Sequence, residues 1–105
     1  MQPGRIAVIA AFCGFVCAVP AQADTITVVI KDLVFTPAAV TAKAGDTIRW
    51  DNRDILAHTA TATAGGFDVM LPAGKSASTV VTKAGTIAYF CKFHPNMKGT
   101  VTVTP

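Results

Sequence analysis

Residues 91–97, with the sequence Cys-Lys-Phe-His-Pro-Asn-Met, place a thiol, an imidazole and a thioether at three-residue steps on one short segment. Soft sulfur donors combined with imidazole favour copper, and two His and one Cys with a weak axial Met form a copper electron-transfer site. The segment supplies one imidazole, and the second can come only from His58 because the chain contains two histidines. The four predicted copper ligands are therefore His58, Cys91, His94 and Met97.

The N-terminal 23 residues have the pattern of a targeting segment. Arg5 precedes an apolar run over residues 6–19, which is short for a bilayer span, and residues 20–23, Pro-Ala-Gln-Ala, end in a small-x-small pattern. We therefore expect a cleaved secretory signal peptide over residues 1–23 and a single domain over residues 24–105. The alternative is an N-terminal anchor that stays uncleaved, because the apolar run approaches the minimum length of a span.

The cysteine content supports metal binding at position 91. Cys13 and Cys17 lie in the expected signal segment and leave with it, so Cys91 is the one cysteine of the processed chain. Exported domains usually pair their cysteines, so an unpaired one is a free thiol, half of an intermolecular bridge or a metal-held thiolate. The neighbouring His94 and Met97 favour the metal. An inert core cysteine is the non-functional alternative.

Two rival chemistries fit the same residues less well. Zinc sites rarely recruit a thioether, so Met97 argues against zinc. A Cys–His nucleophile is the enzymatic alternative, but Cys91 and His94 on one tight loop have no Asn or Asp in an obvious orienting role. A small all-β domain also offers little room for a substrate cleft. We therefore expect that the protein is not an enzyme.

The charge balance argues against a nucleic-acid partner. The chain has nine basic and six acidic residues, which gives a formal net charge of +3. The basic residues are dispersed along the chain and are not interleaved with aromatic residues, so they are typical of solvated strand faces.

Apolar residues recur with a period of two along almost all of residues 24–105. Ile26, Val28 and Ile30 share one face, as do Ile48 and Trp50, and no window long enough for a good helix has a 3.6-residue period. Gly-containing turn signals separate the apolar runs. We predict strands over residues 25–30, 40–42, 47–51, 58–62, 76–82, 85–90 and 99–104, which indicates an all-β sandwich or small barrel.

These strands position the candidate ligands. Tyr89 and Cys91 share one face of their strand, so the sulfur should continue a core-facing row and lie at the end of the domain. The segment then turns back before Gly99 starts the final strand, which lets Met97 approach from the opposite side. His58 begins a separate strand, so a different part of the domain closes the site.

A longer pattern surrounds the four ligands. It comprises Phe-Thr-Pro at residues 35–37, Val40, Ala-Gly-Asp-Thr-Ile-Arg-Trp-Asp-Asn at residues 44–52, His58, and Tyr-Phe-Cys-Lys-Phe-His-Pro-Asn-Met-Lys-Gly at residues 89–99. This pattern resembles the small cupredoxins, the plastocyanin/azurin family, and the short ligand loop looks most like the amicyanin and pseudoazurin types. The resemblance implies a Greek-key β-sandwich of about seven to eight strands with one type 1 copper near one end.

By the same resemblance, the protein shuttles single electrons by Cu(I)/Cu(II) cycling in a bacterial periplasm. The resemblance implies redox partner proteins that dock near His94, on an apolar rim. We expect a monomer with no stable membrane association after signal cleavage. The candidate rim residues are Leu56, Ala57, Phe93, Pro95 and Met97.

The alternative function is a periplasmic copper carrier or chaperone, which passes on the ion and not the electron. Such carriers generally expose Met-rich or His-rich tracts, whereas this chain has only Met70 and Met97 after the signal and no His cluster. The composition therefore favours electron transfer.

Two departures from the family pattern affect the site and the strand count. The family commonly has Asn directly after the first His ligand, where its side chain ties the two ligand-bearing loops together, but this chain has Thr59. The backbone N–H of Thr59 can still reach the Cys91 sulfur, so we expect the site to persist with weaker bracing. The expected processed chain also starts close to its first strand, so an N-terminal strand of the family is expected to be absent.

Overall fold

A computed structural model describes residues 22–105 and shows that they fold into an all-β sandwich. The strands are β1 (Thr25–Lys31), β2 (Val34–Thr36), β3 (Ala39–Lys43), β4 (Thr47–Asn52), β5 (His58–Ala62), β6 (Asp68–Leu71), β7 (Ser76–Val80), β8 (Gly85–Phe90) and β9 (Lys98–Thr104). The expected signal peptide, residues 1–23, lies almost wholly outside the described residues, so its cleavage stays a prediction.

Two sheets form the layers of the sandwich. One has five strands in the order β3-β9-β8-β5-β6 and the other has four in the order β2-β1-β4-β7. Each sheet contains one parallel pair, β3 with β9 and β1 with β4, and its other pairs are antiparallel. Within residues 22–105 no helix is long and apolar enough to cross a membrane.

The predicted fold class is confirmed, and the described residues contain two strands beyond those expected. The structure adds β2 and β6, which brings the count to nine. Strand β2 is three residues long and only Phe35 in it is buried. Strand β6 is four residues long and exposes Met70. Segments this short do not contain enough alternation to be recognised as strands.

The alternating apolar residues fill the space between the sheets directly below the candidate site. Tyr89 packs edge-on against Phe35 and Trp50, with ring centroids 4.8 and 5.4 Å apart. Cys91 lies two residues further along the same face and is fully buried in the same cluster, together with Met97. The candidate ligands are thus continuous with the core and share its rigidity.

Gly99 makes room for the ring of Tyr89. The two residues are paired across β8 and β9. A Cβ on residue 99 would overlap the Tyr89 ring. Because Gly99 has no side chain, the Tyr89 ring can lie across residue 99 of the neighbouring strand β9.

We predict that Gly99→Ala lowers the free energy of unfolding by about 1–3 kcal/mol, because the added methyl group overpacks a close-packed region. Urea denaturation of the copper-loaded and the apo protein measures the loss. Thr102→Ala, an exposed position on the same strand, is the matched control and should cost clearly less. Equal losses at the two positions would show that the Tyr89 contact does not limit residue 99.

Candidate metal centre

Three of the four predicted ligands converge at one end of the sandwich. The Cys91 Sγ lies 3.7 Å from Nδ1 of His58 and 3.8 Å from Nδ1 of His94. The three donor atoms lie within 4.8 Å of one another. Bonds of about 2 Å from a common ion to nitrogen and sulfur hold such donors some 3–4 Å apart. The side chains are therefore arranged around one ion position.

The ligand loop is closed by its own backbone. The N–H of His94 donates to the carbonyl of Cys91 at 3.2 Å, and the N–H of Met97 donates to the carbonyl of His94 at 2.8 Å. The N–H of Cys91 donates in return to the carbonyl of Met97 at 3.1 Å. Two successive turns thus follow the three-residue spacing of the ligands, and the return bond joins the first ligand to the last.

Burial differs among the ligand residues in a way that matters for access. Cys91 and His58 are fully buried and Met97 is 4 % exposed, whereas His94 is only half-buried. The His94 ring lies 5.1 Å from that of His58, centroid to centroid. Among the four candidate ligands, His94 is therefore the most accessible from solvent.

A carboxylate sets the orientation of the His58 ring. Nε2 of His58 lies 2.8 Å from Oδ2 of Asp54. An ionised carboxylate only accepts hydrogen bonds, so Nε2 carries the proton and donates it. The lone pair is then left on Nδ1, the nitrogen that faces the Cys91 sulfur. Asp54 therefore holds His58 in the tautomer that can bind a metal.

Asp54 is itself held by the β1–β2 turn, which lies beside it at the same end of the sheet. Its carboxylate accepts the N–H of Asp32 at 2.7 Å and that of Leu33 at 3.1 Å. Both turn residues have positive φ, 53° and 63°, which is uncommon outside glycine. Burial works to raise the pKa of Asp54, but the bonds from Leu33, His58 and Asp32 outweigh it and lower that pKa below its usual value. The Asp54 carboxylate therefore stays ionised and can accept the N–H of His58 Nε2.

Thr59 ties the two ligand-bearing segments together. Its backbone N–H points at the Cys91 sulfur with an N···S distance of 3.4 Å. Its Oγ1 accepts the backbone N–H of Lys92 at 2.9 Å. The threonine thus supplies the side-chain link that Asn provides in the family pattern. The expectation of weaker bracing from the sequence considered only the backbone N–H of Thr59 and left out this side-chain hydrogen bond.

The Thr59 link continues to the surface as a directed chain of hydrogen bonds. Thr61 Oγ1 lies 2.9 Å from Thr59 Oγ1 and donates to Asp68 at 2.8 Å. Because Asp68 can only accept, Thr61 donates to it, so Thr59 must donate to Thr61 and keeps a lone pair for the Lys92 N–H. The Lys92 ammonium closes the ring on Asp68 at 2.8 Å. This ring braces the β5 and β8 ends beside Cys91.

An apolar surface surrounds His94. A shallow depression there is lined by Leu33, Phe93, His94, Pro95, Asn96 and Met97. Phe93 is 51 % exposed and Leu33 44 %. Phe93, Pro95 and Met97 belong to the rim expected from the sequence, whereas Leu33 comes from the β1–β2 turn and was not expected there.

The donor set fits copper. The two imidazole Nδ1 atoms lie at nearly equal distances from the Cys91 sulfur, and Met97, a thioether, is buried at the end of the same loop. Cys91 is the one cysteine among residues 22–105 and forms no disulfide there. Zinc sites rarely include a thioether, whereas this combination is typical of a type 1 copper site.

A family model described as a cupredoxin-like domain matches residues 4–103. The chain belongs to the cupredoxin family. Amicyanin from Paracoccus versutus is 32% identical over 94 residues, which cover 84% of this chain and 71% of amicyanin. Plastocyanin from Scenedesmus fuscus is 40% identical over 85 residues, which cover 68% of this chain and 87% of plastocyanin. The resemblance stated from the sequence is confirmed.

Solved structures agree with this assignment. The crystal structure of Paracoccus versutus amicyanin has a TM-score of 0.66 at 31% identity, and the match covers 83% of this cupredoxin and 86% of that chain. An oxidized amicyanin variant has a TM-score of 0.70 at 29% identity. The likeness extends over most of both chains, so it concerns the whole sandwich.

Sequence reasoning missed Asp54, which lies in the connection between β4 and β5. A signal was available, because a metal-binding imidazole usually donates its second N–H to a carboxylate or carbonyl. Asp54 is four residues before His58. The contact to Asp32 and Leu33 had no such signal, since it depends on how two distant turns meet.

We predict that Thr59→Val exposes the amide of Lys92 to faster hydrogen exchange and lowers the free energy of unfolding by about 1–3 kcal/mol, because a partly buried donor loses its acceptor. Hydrogen exchange followed by NMR on the apo protein tests the hydrogen bond between Lys92 and Thr59 without any metal. Thr59→Ser keeps the hydroxyl and should retain most of the protection. Equal exchange in the Val and Ser variants would rule out the proposed link.

Proposed function

We propose that this cupredoxin is a periplasmic blue copper protein that passes single electrons between redox partners. The proposed ligands are His58, Cys91, His94 and Met97. The convergence of one sulfur and two Nδ1 atoms within 4.8 Å at one end of the sandwich is the observation that carries the proposal. The amicyanin structures similar to this one include an oxidized variant and a reduced Cu(I) form, which supports a redox cycle.

Copper bound here would supply a one-electron couple, whose potential depends on the axial ligand and on hydrogen bonds to the cysteine sulfur. The protein's part is to hold the donors so that little rearrangement accompanies the change of charge. Cys91 is set by the end of β8 and His58 by Asp54. The N–H of Thr59 offers its positive end to the sulfur at 3.4 Å. The buried surroundings of the first two ligands exclude water.

We further propose that electrons enter and leave through His94. The ring is half-buried and lies in a depression with exposed Phe93 and Leu33 around it. An exposed apolar surface around a redox site suits a small, transient interface, which lets a carrier leave its partner quickly. The partners proposed are therefore redox proteins that dock around His94, and the protein itself is proposed to act as a monomer.

Export to the periplasm remains part of the proposal. Support comes from the basic residue, short apolar run and small-x-small pattern of residues 1–23. Cleavage after Ala23 would leave residues 24–105 as the working domain, which contains every strand of the described sandwich.

Copper-loaded protein should be intensely coloured through a Cys91 thiolate-to-copper transition, and Cys91→Ser should remove the colour because the oxygen donor cannot supply that transition. Visible and EPR spectra after reconstitution with Cu(II) make the measurement. A coloured Cys91→Ser variant would exclude the assignment. Loss of the metal during repeated redox cycling against a chelator would instead favour a copper carrier.

Met97→Leu should leave copper bound and raise the reduction potential, because loss of the axial sulfur destabilises Cu(II) more than Cu(I). Each tenfold change in the ratio of the two affinities is worth about 59 mV. Protein-film voltammetry measures the shift. Met70→Leu is the matched control, since Met70 is 56 % exposed on β6. A potential that is unchanged in Met97→Leu would show that Met97 is not an axial ligand.

A further inference from the structure

A buried carboxylate lies beside the first residue of the expected processed chain. Asp46, in the turn between β3 and β4, is 2 % exposed. Its Oδ1 accepts the backbone N–H of Asp24 at 2.9 Å, and its Oδ2 accepts the backbone N–H of Lys43 at 2.8 Å. These bonds, that from Asp24 first, hold the pKa of Asp46 below its usual value. Asp46 therefore carries a full negative charge against two neutral donors.

The nearest cation compensates that charge only weakly. The Lys43 ammonium lies 3.6 Å from Oδ2 of Asp46, and its side chain is 52 % exposed. It is closer to the carboxylate of Asp24, at 2.9 Å. An exposed ammonium shared between two carboxylates is screened by water and contributes little to either pair. The two backbone N–H bonds already stabilise the ionised carboxylate, so a cation placed closer than the Lys43 ammonium would add to that stabilisation.

We propose that cleavage after Ala23 completes this site, because it converts the Asp24 amide into an α-ammonium group that forms an ion pair with buried Asp46. Hydrolysis by a signal peptidase breaks the bond between the Ala23 carbonyl carbon and the Asp24 nitrogen. Water supplies hydroxide to the carbonyl and a proton to the nitrogen, and a further proton from solution gives the ammonium at neutral pH. The inference rests on the proposed cleavage and does not depend on the copper chemistry.

The position of Asp24 explains how such a pair acts on the fold. The carbonyl of Asp24 accepts the N–H of Thr47 at 2.9 Å, and Thr25 is paired with Thr47 at the start of the parallel β1–β4 ladder. An ammonium held by Asp46 therefore fixes Asp24, the residue directly before β1, against the turn that leads into β4. Processing then stabilises the sandwich, and the uncleaved chain lacks this contribution.

The test compares three copper-loaded proteins that differ only at the N-terminus. One begins at Asp24 with a free amine, one begins at Asp24 with an acetylated amine, and one begins at Ala23. Acetylation keeps an N–H donor and removes the charge. We expect the unfolding equilibrium constant in urea at neutral pH to be lower by at least about fivefold for the free Asp24 amine, as for a charge-assisted bond.

Asp46→Asn supplies the second arm, since it removes the charge and keeps an acceptor. The advantage of the free amine over the acetylated amine should vanish in this background. If Asp46→Asn does not fold, alkaline titration of the unsubstituted proteins replaces it. The groups that face the amine are the carboxylates of Asp24 and Asp46 and the ammonium of Lys43. An α-ammonium deprotonates at lower pH than lysine, so the advantage, complete only where Asp46 is ionised and the amine is charged, should be lost at alkaline pH while Lys43 is still charged.

Three results would overturn the proposal. Equal stability of the free and acetylated proteins would show that the charge adds nothing. An advantage that persists in Asp46→Asn, or at alkaline pH, would place its cause elsewhere. Sequencing of the exported protein is the third arm, because an N-terminus other than Asp24 excludes the pair in the natural product. None of these results affects copper binding or colour, so failure here is distinguishable from failure of the proposed function.

Discussion

The position of the Cys91 sulfur is the constraint on which the rest of the site depends. It is fully buried at the end of a core-facing row, and the Nδ1 atoms of His58 and His94 lie 3.7 and 3.8 Å from it. The N–H of Thr59 is directed at the same atom. A thiolate withdrawn from water in this way needs positive charge and hydrogen bonds to offset its desolvation. The Thr59 N–H supplies one such hydrogen bond, and a copper ion held by the three donor groups would supply the positive charge.

The surroundings of the sulfur are fixed from two directions. The ring of hydrogen bonds that runs from Thr59 to Lys92 holds the β5 and β8 ends together. Asp54 holds the His58 ring and is held in turn by the backbone of the β1–β2 turn. Polar groups that are fully paired in a buried region define one arrangement, whereas unpaired ones would favour rearrangement. Such a scaffold suits a redox site, because the donors are already in place before the charge changes.

Much of the fold could be predicted because its cause is local. The alternation of Val28 and Ile30 in β1, and of Ile48 and Trp50 in β4, follows directly from burial of one strand face. Strands β2 and β6 could not be predicted in this way, since they are too short to alternate and owe their form to a longer neighbour. Leu33 could not be placed in the surface around His94, because its position depends on two left-handed residues in a turn.

The sequence by itself determined the types and spacing of the donor groups, and with them the metal, since ligand preference is a property of sulfur and imidazole atoms. It also determined the all-β class through its period of two, whereas the choice of a sandwich over a small barrel came from the family resemblance. Only the tertiary structure decided that Asp54, which orients His58, is itself held by Asp32, 22 residues earlier in the sequence. It also decided that Asp46 accepts the N–H of Asp24 across the same separation. These contacts depend on the register of β1 beside β4. Register is a global result of packing, because it is fixed by burying one face of each strand against the rest of the sandwich.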